Sequence, residues 1–370
     1  MKVGGAVRAV ARGEEAPGGA GGALLRAGLR IASWAYGTAV VARTAAYRAR
    51  LLGRHRVPCP VVSVGNLTAG GTGKTPCVIC LARDLQERGW RPAILLRGYG
   101  RRGGTGLLVA SAGQGLLVPA AEAGDEASLL AEVLPGVPVI LAADRVRGAE
   151  VALSRCGADL LILDDGYQHL RLQRDLDILL LDARSPFGSG ALLPRGLLRE
   201  PPAAADRADL VILTRADQAR ELDGVEEGIR RLNRRAPLLR AIHRPVSLVR
   251  IADGTSLPPP ALAGQAVAAL SGIGSPEAFE ATLRGLGASV VAVLRFPDHQ
   301  RFQAEELERA GREGRAAGAT LLVTTAKDLA RGGLPAQAGG LPVAVLEVEF
   351  AVTAGAEALE AALAGLQRGG

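Results

Sequence analysis

The chain reads as an α/β fold: a mainly parallel sheet flanked by helices, followed by a second, smaller α/β domain and preceded by a basic N-terminal helix. Three observations predict this. From Pro60 onward short, uniformly apolar runs alternate with helical stretches, and strands apolar on both faces belong to parallel sheets covered on both sides. A proline-rich stretch, "GTSLPPPALAG" at 254–264, interrupts the alternation before it resumes. Positive charge is concentrated before residue 57: residues 1–56 hold ten Lys/Arg against Glu14 and Glu15, a balance of +8, where the whole 370-residue chain is +7.

In order, the expected strands are "PVVSVG", "RPAILLRG", "VPVILA", "ADLLILDDG", "LDILLLDA" and "ADLVILTRAD", with helices over Lys74–Arg88, Glu126–Leu134 and Arg145–Cys156. A polar helix starting at Ala219 leads to the proline-rich stretch. Beyond it come "AVAALSGIG", a helix over Pro276–Leu286, "SVVAVLRFPDH", a helix over Ala304–Ala317, "ATLLVTTAKD", "LPVAVLEVEF" and a helix to about Leu366. The divisions are a Gly/Ala-rich disordered leader (1–22), a helix at a membrane surface (23–56), a phosphate-loop domain (57–217), a second α/β domain (218–350) and a C-terminal helix (351–370).

Composition narrows the function. Aromatic residues are 3% of the chain, too few for the stacking platforms of single-strand nucleic-acid binders, so nucleic acid is not an expected partner despite the basic pI near 9.7. Nothing points to an obligate protein partner. The uncharged run Ile31–Ala42 is twelve residues long, against about 20 for a membrane-spanning helix. Trp34, Tyr36 and Tyr47 among arginines suit either an anionic membrane surface or an ordinary docking helix. Cys77 and Cys80 form a C-x-x-C with no further ligands at zinc spacing and read as small residues on a helix.

The stretch "SVGNLTAGGTGKTP" carries the clearest chemistry. Gly70, Gly71, Thr72, Gly73, Lys74 and Thr75 lie between a buried strand and a helix, where backbone amides cradle phosphate, the lysine reaches the β/γ-oxygens and the threonine hydroxyl ligates Mg2+. Of 44 Lys+Arg only Lys2, Lys74 and Lys327 are lysine, so Lys74 stands where a compact ammonium is wanted. "LLILDDGYQH" sets Asp164 and Asp165 at the C-terminal end of a strand, where one carboxylate can hold Mg2+. His169 either assists the metal shell or caps the next turn. Asp125 in "GDEAS" opens a helix and can be an N-cap. His299 lies in "FPDHQRF". Glu200 ends "LPRGLLRE" as a metal ligand or a partner for Arg199, and Lys327 meets either a phosphate or its neighbour Asp328.

Taken in order, "SVGNLTAGGTGKTP", "RGYGR", "GDE", Asp144–Arg145, "LDDGYQH", the segment Phe187–Glu200, "SGIGSPEAF", "FPDH" and "TAKD" resemble the tetraacyldisaccharide 4'-kinases of lipid A biosynthesis from about Leu24 to Leu366. That family's loop reads GN.T.GGTGKT, so Thr68, where a strict phosphate loop has glycine, is the family's own form. The resemblance implies ATP and Mg2+ as cofactors and transfer of the γ-phosphate to the 4'-hydroxyl of a tetraacylated glucosamine disaccharide 1-phosphate, on the cytoplasmic face of the inner membrane. It places Lys74, Thr75, Asp164, Asp165 and Glu200 at nucleotide and Mg2+, and Asp125 with His299 at the acceptor hydroxyl. Leu96 and Ala326 depart from the family's serine and glutamate and inherit no role. Other phosphate-loop enzymes, a GTP-dependent metallochaperone or an ATP-dependent small-molecule ligase, are the alternative, as is a nucleotide switch; a guanine-reading N-K-x-D is replaced here by "TRAD", Thr214–Asp217.

Overall fold

A computed structural model describes residues 19–98, 106–298 and 300–367. The motif residues Tyr99–Arg101 and the candidate His299 lie outside the described residues, as does the leader up to residue 18. Helix α1 (Gly19–Arg48) starts inside the expected leader. Extending a nucleated helix costs less than starting one, although each glycine of "GAGG" is about 1 kcal/mol less favourable there than alanine.

The first half alternates as expected: β1 (Val61–Asn66), α2 (Lys74–Glu87), β2 (Pro92–Leu96), β3 (Leu108–Ala112), α3 (Asp125–Val133), β4 (Pro138–Leu141), α4 (Arg145–Cys156), β5 (Leu160–Asp164), β6 (Leu176–Asp182), β7 (Leu210–Thr214) and α5 (Leu222–Leu232). Every residue of β1, β2, β4, β5 and β7 is buried, and β6 is buried up to its last residue. These strands run parallel in the order β7-β6-β1-β5-β2-β4, and β3 closes the edge antiparallel to β4. The second half holds β8 (Leu238–Arg250), β9 (Ser256–Leu257), β10 (Ala266–Ser271), α6 (Pro276–Gly285), β11 (Ser289–Arg295), α7 (Ala304–Ala316), β12 (Leu321–Thr325), β13 (Gln337–Ala338), β14 (Leu341–Ala354) and α8 (Ala356–Ala364).

The expected second sheet is continuous with the first. The long strands β8 and β14 pair antiparallel from Arg240↔Ala354 to Arg250↔Ala344. One end of β8 joins β7 in parallel, and one end of β14 joins β12 in parallel, so a two-stranded ribbon connects two parallel blocks. The chain then returns: Leu363 of α8 and Phe350 belong to the core of the first block, and Arg88, just after α2, pairs with Glu360 at 2.5 Å.

Two of these features aim at one place. The phosphate loop follows β1, which lies between β5 and β6, so the loop, Asp164 and Asp182 leave adjacent strands at the same edge. Helix α1 docks beside them. Ser33 Oγ donates to Leu192 O at 2.8 Å, Tyr36 OH to Arg199 O at 2.9 Å and Arg43 to Gln168 O at 3.2 Å. Gly37 permits this approach, since a Cβ there would sit 2.6 Å from Leu192 Cδ1.

Candidate active site

The phosphate loop turns into α2 at Gly73, which is left-handed (φ 86°, ψ 23°) and caps the helix without a side chain. Lys74 is the first residue of α2. Its ammonium reaches back across the loop to Asn66 Oδ1 at 3.2 Å and Asp165 Oδ1 at 3.5 Å. Asn66, in the "GN" of the motif, is therefore part of the lysine's seat, and its own amide donates to Thr68 O at 2.6 Å.

The two aspartates after β5 have different surroundings. Asp165 adopts φ 57°, a conformation rare for a side chain other than glycine, and pairs with Arg199 at 2.6 Å as well as with Lys74. Burial alone would raise its pKa, but Lys74 and Arg199 outweigh it and hold the carboxyl below the usual range. Asp164 is buried, and its Oδ2 has no hydrogen-bond partner. Burial first, and then the negative charge of Glu126, push Asp164 upward to about 7. A bare buried carboxylate oxygen beside a phosphate loop fits a hard divalent cation, which would supply the missing positive charge.

Glu200 is not Arg199's partner. Both its oxygens accept from Arg207, at 2.6 and 2.8 Å, and the Arg207 guanidinium stacks 3.8 Å over the Tyr167 ring. Among the described residues no three His, Cys, Asp or Glu side chains gather into a metal-holding cluster, so Asp164, Asp165 and Glu200 do not form one. His169 uses its backbone N–H to close the turn on Gly166 O at 2.8 Å, while Nε2 is buried without a partner. Burial, with Arg145 next, lowers its pKa to about 4, so the ring is neutral.

Asp125 does not cap its helix; Gly124 is the cap residue, and the carboxylate instead accepts from Arg331 Nε at 2.9 Å. Arg331 is fully buried and also binds Asp328 at 2.6 Å, Asp298 at 3.4 Å and Gly272 O at 2.7 Å. Asp298 directly precedes His299. Asp328 is held by Arg331 and Thr325 rather than by Lys327, whose ammonium lies 3.6 Å from Glu126 and 3.9 Å from Asp298. Residues from both halves thus meet at one ionic junction.

Gly70–Thr75, Asp164, Asp165, Glu200, Asp298 and Lys327 line a single cleft of about 1380 Å3, with Tyr36 and Arg43 of α1 at its wall. Sequence reasoning missed Asn66, Arg207 and Arg331 as partners. Arg331 carries no local signal, lying 206 residues from Asp125. The C-x-x-C thiols sit on α2, Cys77 buried and Cys80 half-buried; all four cysteines are free. Burial raises the pKa of both α2 thiols, which suits packing rather than reactivity.

Residues 25–367 match the family described as tetraacyldisaccharide-1-P 4'-kinase. The tetraacyldisaccharide 4'-kinase of Syntrophus aciditrophicus is 45% identical over 332 residues, covering 88% of each chain. That of Anaeromyxobacter dehalogenans strain 2CP-C is 46% identical over 346 residues, covering 93% of this chain and 91% of the relative. The 2.2 Å crystal structure of LpxK from Aquifex aeolicus in complex with ATP superposes with a TM-score of 0.70 at 33% identity, over 92% of this chain and 98% of that one. A phosphate loop and an aspartate pair facing one cleft, with an ionic junction behind its wall, in a chain matched over nearly its whole length, show that this protein belongs to the tetraacyldisaccharide 4'-kinase family.

Proposed function

We propose that this chain is an ATP-dependent kinase that phosphorylates the 4'-hydroxyl of the tetraacylated disaccharide 1-phosphate precursor of lipid A. The observation that carries the reading is the seat of Lys74: its ammonium is fixed between Asn66 and Asp165 at the mouth of a left-handed turn, facing a cleft large enough for nucleotide and acceptor. In the reaction the acceptor oxygen bonds to the γ-phosphorus, the bond from that phosphorus to the β–γ bridging oxygen breaks, and the hydroxyl proton passes to a base. Lys74 and the loop amides hold the β/γ-oxygens as charge moves onto the leaving ADP.

Asp125 with His299 forms the base unit. Support comes from Arg331, which binds both Asp125 and Asp298, the neighbour of His299, and so ties the two motif segments together. The expected two-domain division suits this arrangement, because approach of the halves would complete the site and exclude water as a competing acceptor. Thr75 and Asp164 are the side chains that would hold Mg2+; the ion, when bound, would neutralise charge on the phosphate oxygens. Asp165 supports Lys74, and Glu200 would join the metal only on giving up Arg207.

The protein acts at the anionic cytoplasmic face of the inner membrane. Among the described residues no helix is long and apolar enough to cross a bilayer. Exposed Trp34 and Ile31 on α1, on the helix that walls the cleft, support contact with the lipid surface. The alternative of a guanine-specific enzyme is disfavoured by Arg215 of "TRAD", which is buried against Asp182 and Gly71 rather than presented to a base. An ATP-consumption assay tests the proposal: ADP release should require the acylated disaccharide 1-phosphate and remain at background with the deacylated sugar. Equal turnover with both, or none with either, would reject it.

A further inference from the structure

The end of β7 has no part in the reaction just described, yet it touches the phosphate loop directly. We infer that Thr214 and Arg215 are positioning residues that hold the loop's backbone in its anion-binding shape, an inference that rests on the phosphate-loop reading above. Thr214 Oγ1 donates to Thr72 O at 2.9 Å, and Arg215 Nη2 donates to Gly71 O at 2.8 Å. Ser275 Oγ, from the loop before α6, donates to the same Gly71 oxygen at 3.1 Å. In a trans peptide the carbonyl and the following N–H point in opposite directions. Fixing the carbonyls of Gly71 and Thr72 toward β7 and α6 therefore turns the N–H groups of Thr72 and Gly73 away from them, as successive donors for one anion.

The support behind these contacts is specific. Arg215 is left-handed (φ 55°, ψ 40°), an unfavourable conformation for a side-chain residue, and is kept there by Asp182 at 2.6 Å. Asp182 is shared with Arg184, so its carboxylate stays paired if Arg215 is removed. Across the loop, His243 of β8 packs on Gly73 so closely that a Cβ there would lie 2.5 Å from Nε2. Gly274 leaves equally little room: its Cβ would lie 2.6 Å from Gly71 N. The loop is thus clasped by the end of β7, by the connecting ribbon and by the second half of the chain. "TRAD" occupies the place where a base could be read and serves the phosphates instead.

The test is titration of ATP and ADP into the full-length protein and its variants, with steady-state kinetics alongside. Arg215→Ala should weaken nucleotide binding about tenfold, the worth of a hydrogen bond to a charged donor, and Arg215→Lys, whose compact ammonium replaces a two-pronged fork, should restore only part of it. KM for ATP should rise while KM for the lipid acceptor stays unchanged, a split that a general loss of stability would not produce. If Arg215→Ala does not fold, Thr214→Val and Ser275→Ala carry the test with losses of a few fold. Unchanged nucleotide affinity in the folded variants, or equal rises in both KM values, overturns the inference. Lys74→Ala separates the two readings: if it weakens nucleotide binding and the brace variants do not, the brace alone is rejected; if it too has no effect, the phosphate-loop reading falls with it.

Discussion

Arg331 Nε lies 2.9 Å from Asp125 Oδ2 and fastens the turn that opens α3 in the first half to a fully buried guanidinium in the second. The same guanidinium reaches Asp298, so one side chain touches both candidate base motifs. Arg331 also neutralises Asp328, whose burial raises its pKa and whose carboxylate further accepts from Thr324, Thr325 and the Gly272 N–H.

Asp125→Asn should therefore lower kcat by about a hundredfold or more, the usual range for a positioned acid–base group, with ATP affinity preserved. His299→Ala should do the same, and, if the two act as the proposed unit, the double variant should be little worse than the more damaged single. Stopped turnover assays beside nucleotide titrations decide it. Additive losses would assign Asp125 and His299 to separate tasks.

Asp164 gives a second outcome. Its pKa is raised to about 7, so below that pH the protonated form is the one the fold favours. Stability from this group is present at low pH and is lost as pH rises toward about 7. Asp164→Asn should raise the melting temperature without added metal more at pH 8 than at pH 5. It should also shrink the stabilisation that Mg2+ with ADP gives the native protein. Melts at the two pH values, with and without Mg2+, measure both effects; identical shifts at pH 5 and 8 would mean that Asp164 is not the strained carboxylate it is taken to be.

Much of this architecture was legible before the structure. The largely apolar runs became β1, β2, β4, β5, β6 and β7 because a strand buried on both faces shows few polar residues to blur it. The phosphate loop was legible because glycine, lysine and threonine at fixed spacing have few other uses. Strand β8 was missed: "LLRAIHRPVSLVR" mixes arginines and a proline among its apolar residues, as a half-exposed ribbon must. Strand β3 was missed for a similar reason, being a short edge. The site's second layer was invisible for another cause. Glu200 with Arg207, Asp125 with Arg331 and Thr214 with Thr72 are made by folding, and no local pattern announces them. Gly37, which carries no signal of its own in the sequence, is the contact point at which α1 docks on Leu192.

Acid should destabilise the protein through two histidines. Burial lowers the pKa of His243 to about 3, with Arg215 adding to the effect, and that of His169 to about 4. Both rings are neutral in the fold, whereas in the unfolded chain they charge near 6.5. The stability they contribute is therefore intact above about pH 6.5 and declines below it, by about 1.4 kcal/mol per histidine per pH unit until the folded pKa is reached. His243→Gln should lessen the fall in melting temperature between pH 7 and pH 5. Parallel curves for variant and native protein would show that acid acts elsewhere.

Helix α1 is the surface by which the enzyme would meet a lipid-borne substrate. On α1 the exposed apolar residues Leu24, Ile31, Trp34 and Val41 are 74, 70, 75 and 53% accessible and recur at intervals of seven, three and seven residues. At 100° per residue this spacing puts them on one side of the helix, while Ser33, Tyr36 and Gly37 attach another side to the site. A helix docked by one side and apolar on another, with Arg26, Arg30 and Arg48 exposed along it, suits the plane of an anionic lipid surface. Each large apolar side chain taken from water contributes roughly 1.5–3 kcal/mol. Ile31→Ser with Trp34→Ser should therefore weaken binding to anionic vesicles by about tenfold or more, and raised salt should weaken binding of the native protein, while turnover of a detergent-dispersed acceptor changes little. Vesicle binding equal to that of the native protein would place the lipid contact on another surface, and equal loss of turnover in detergent would show that the stripe holds the acyl chains themselves.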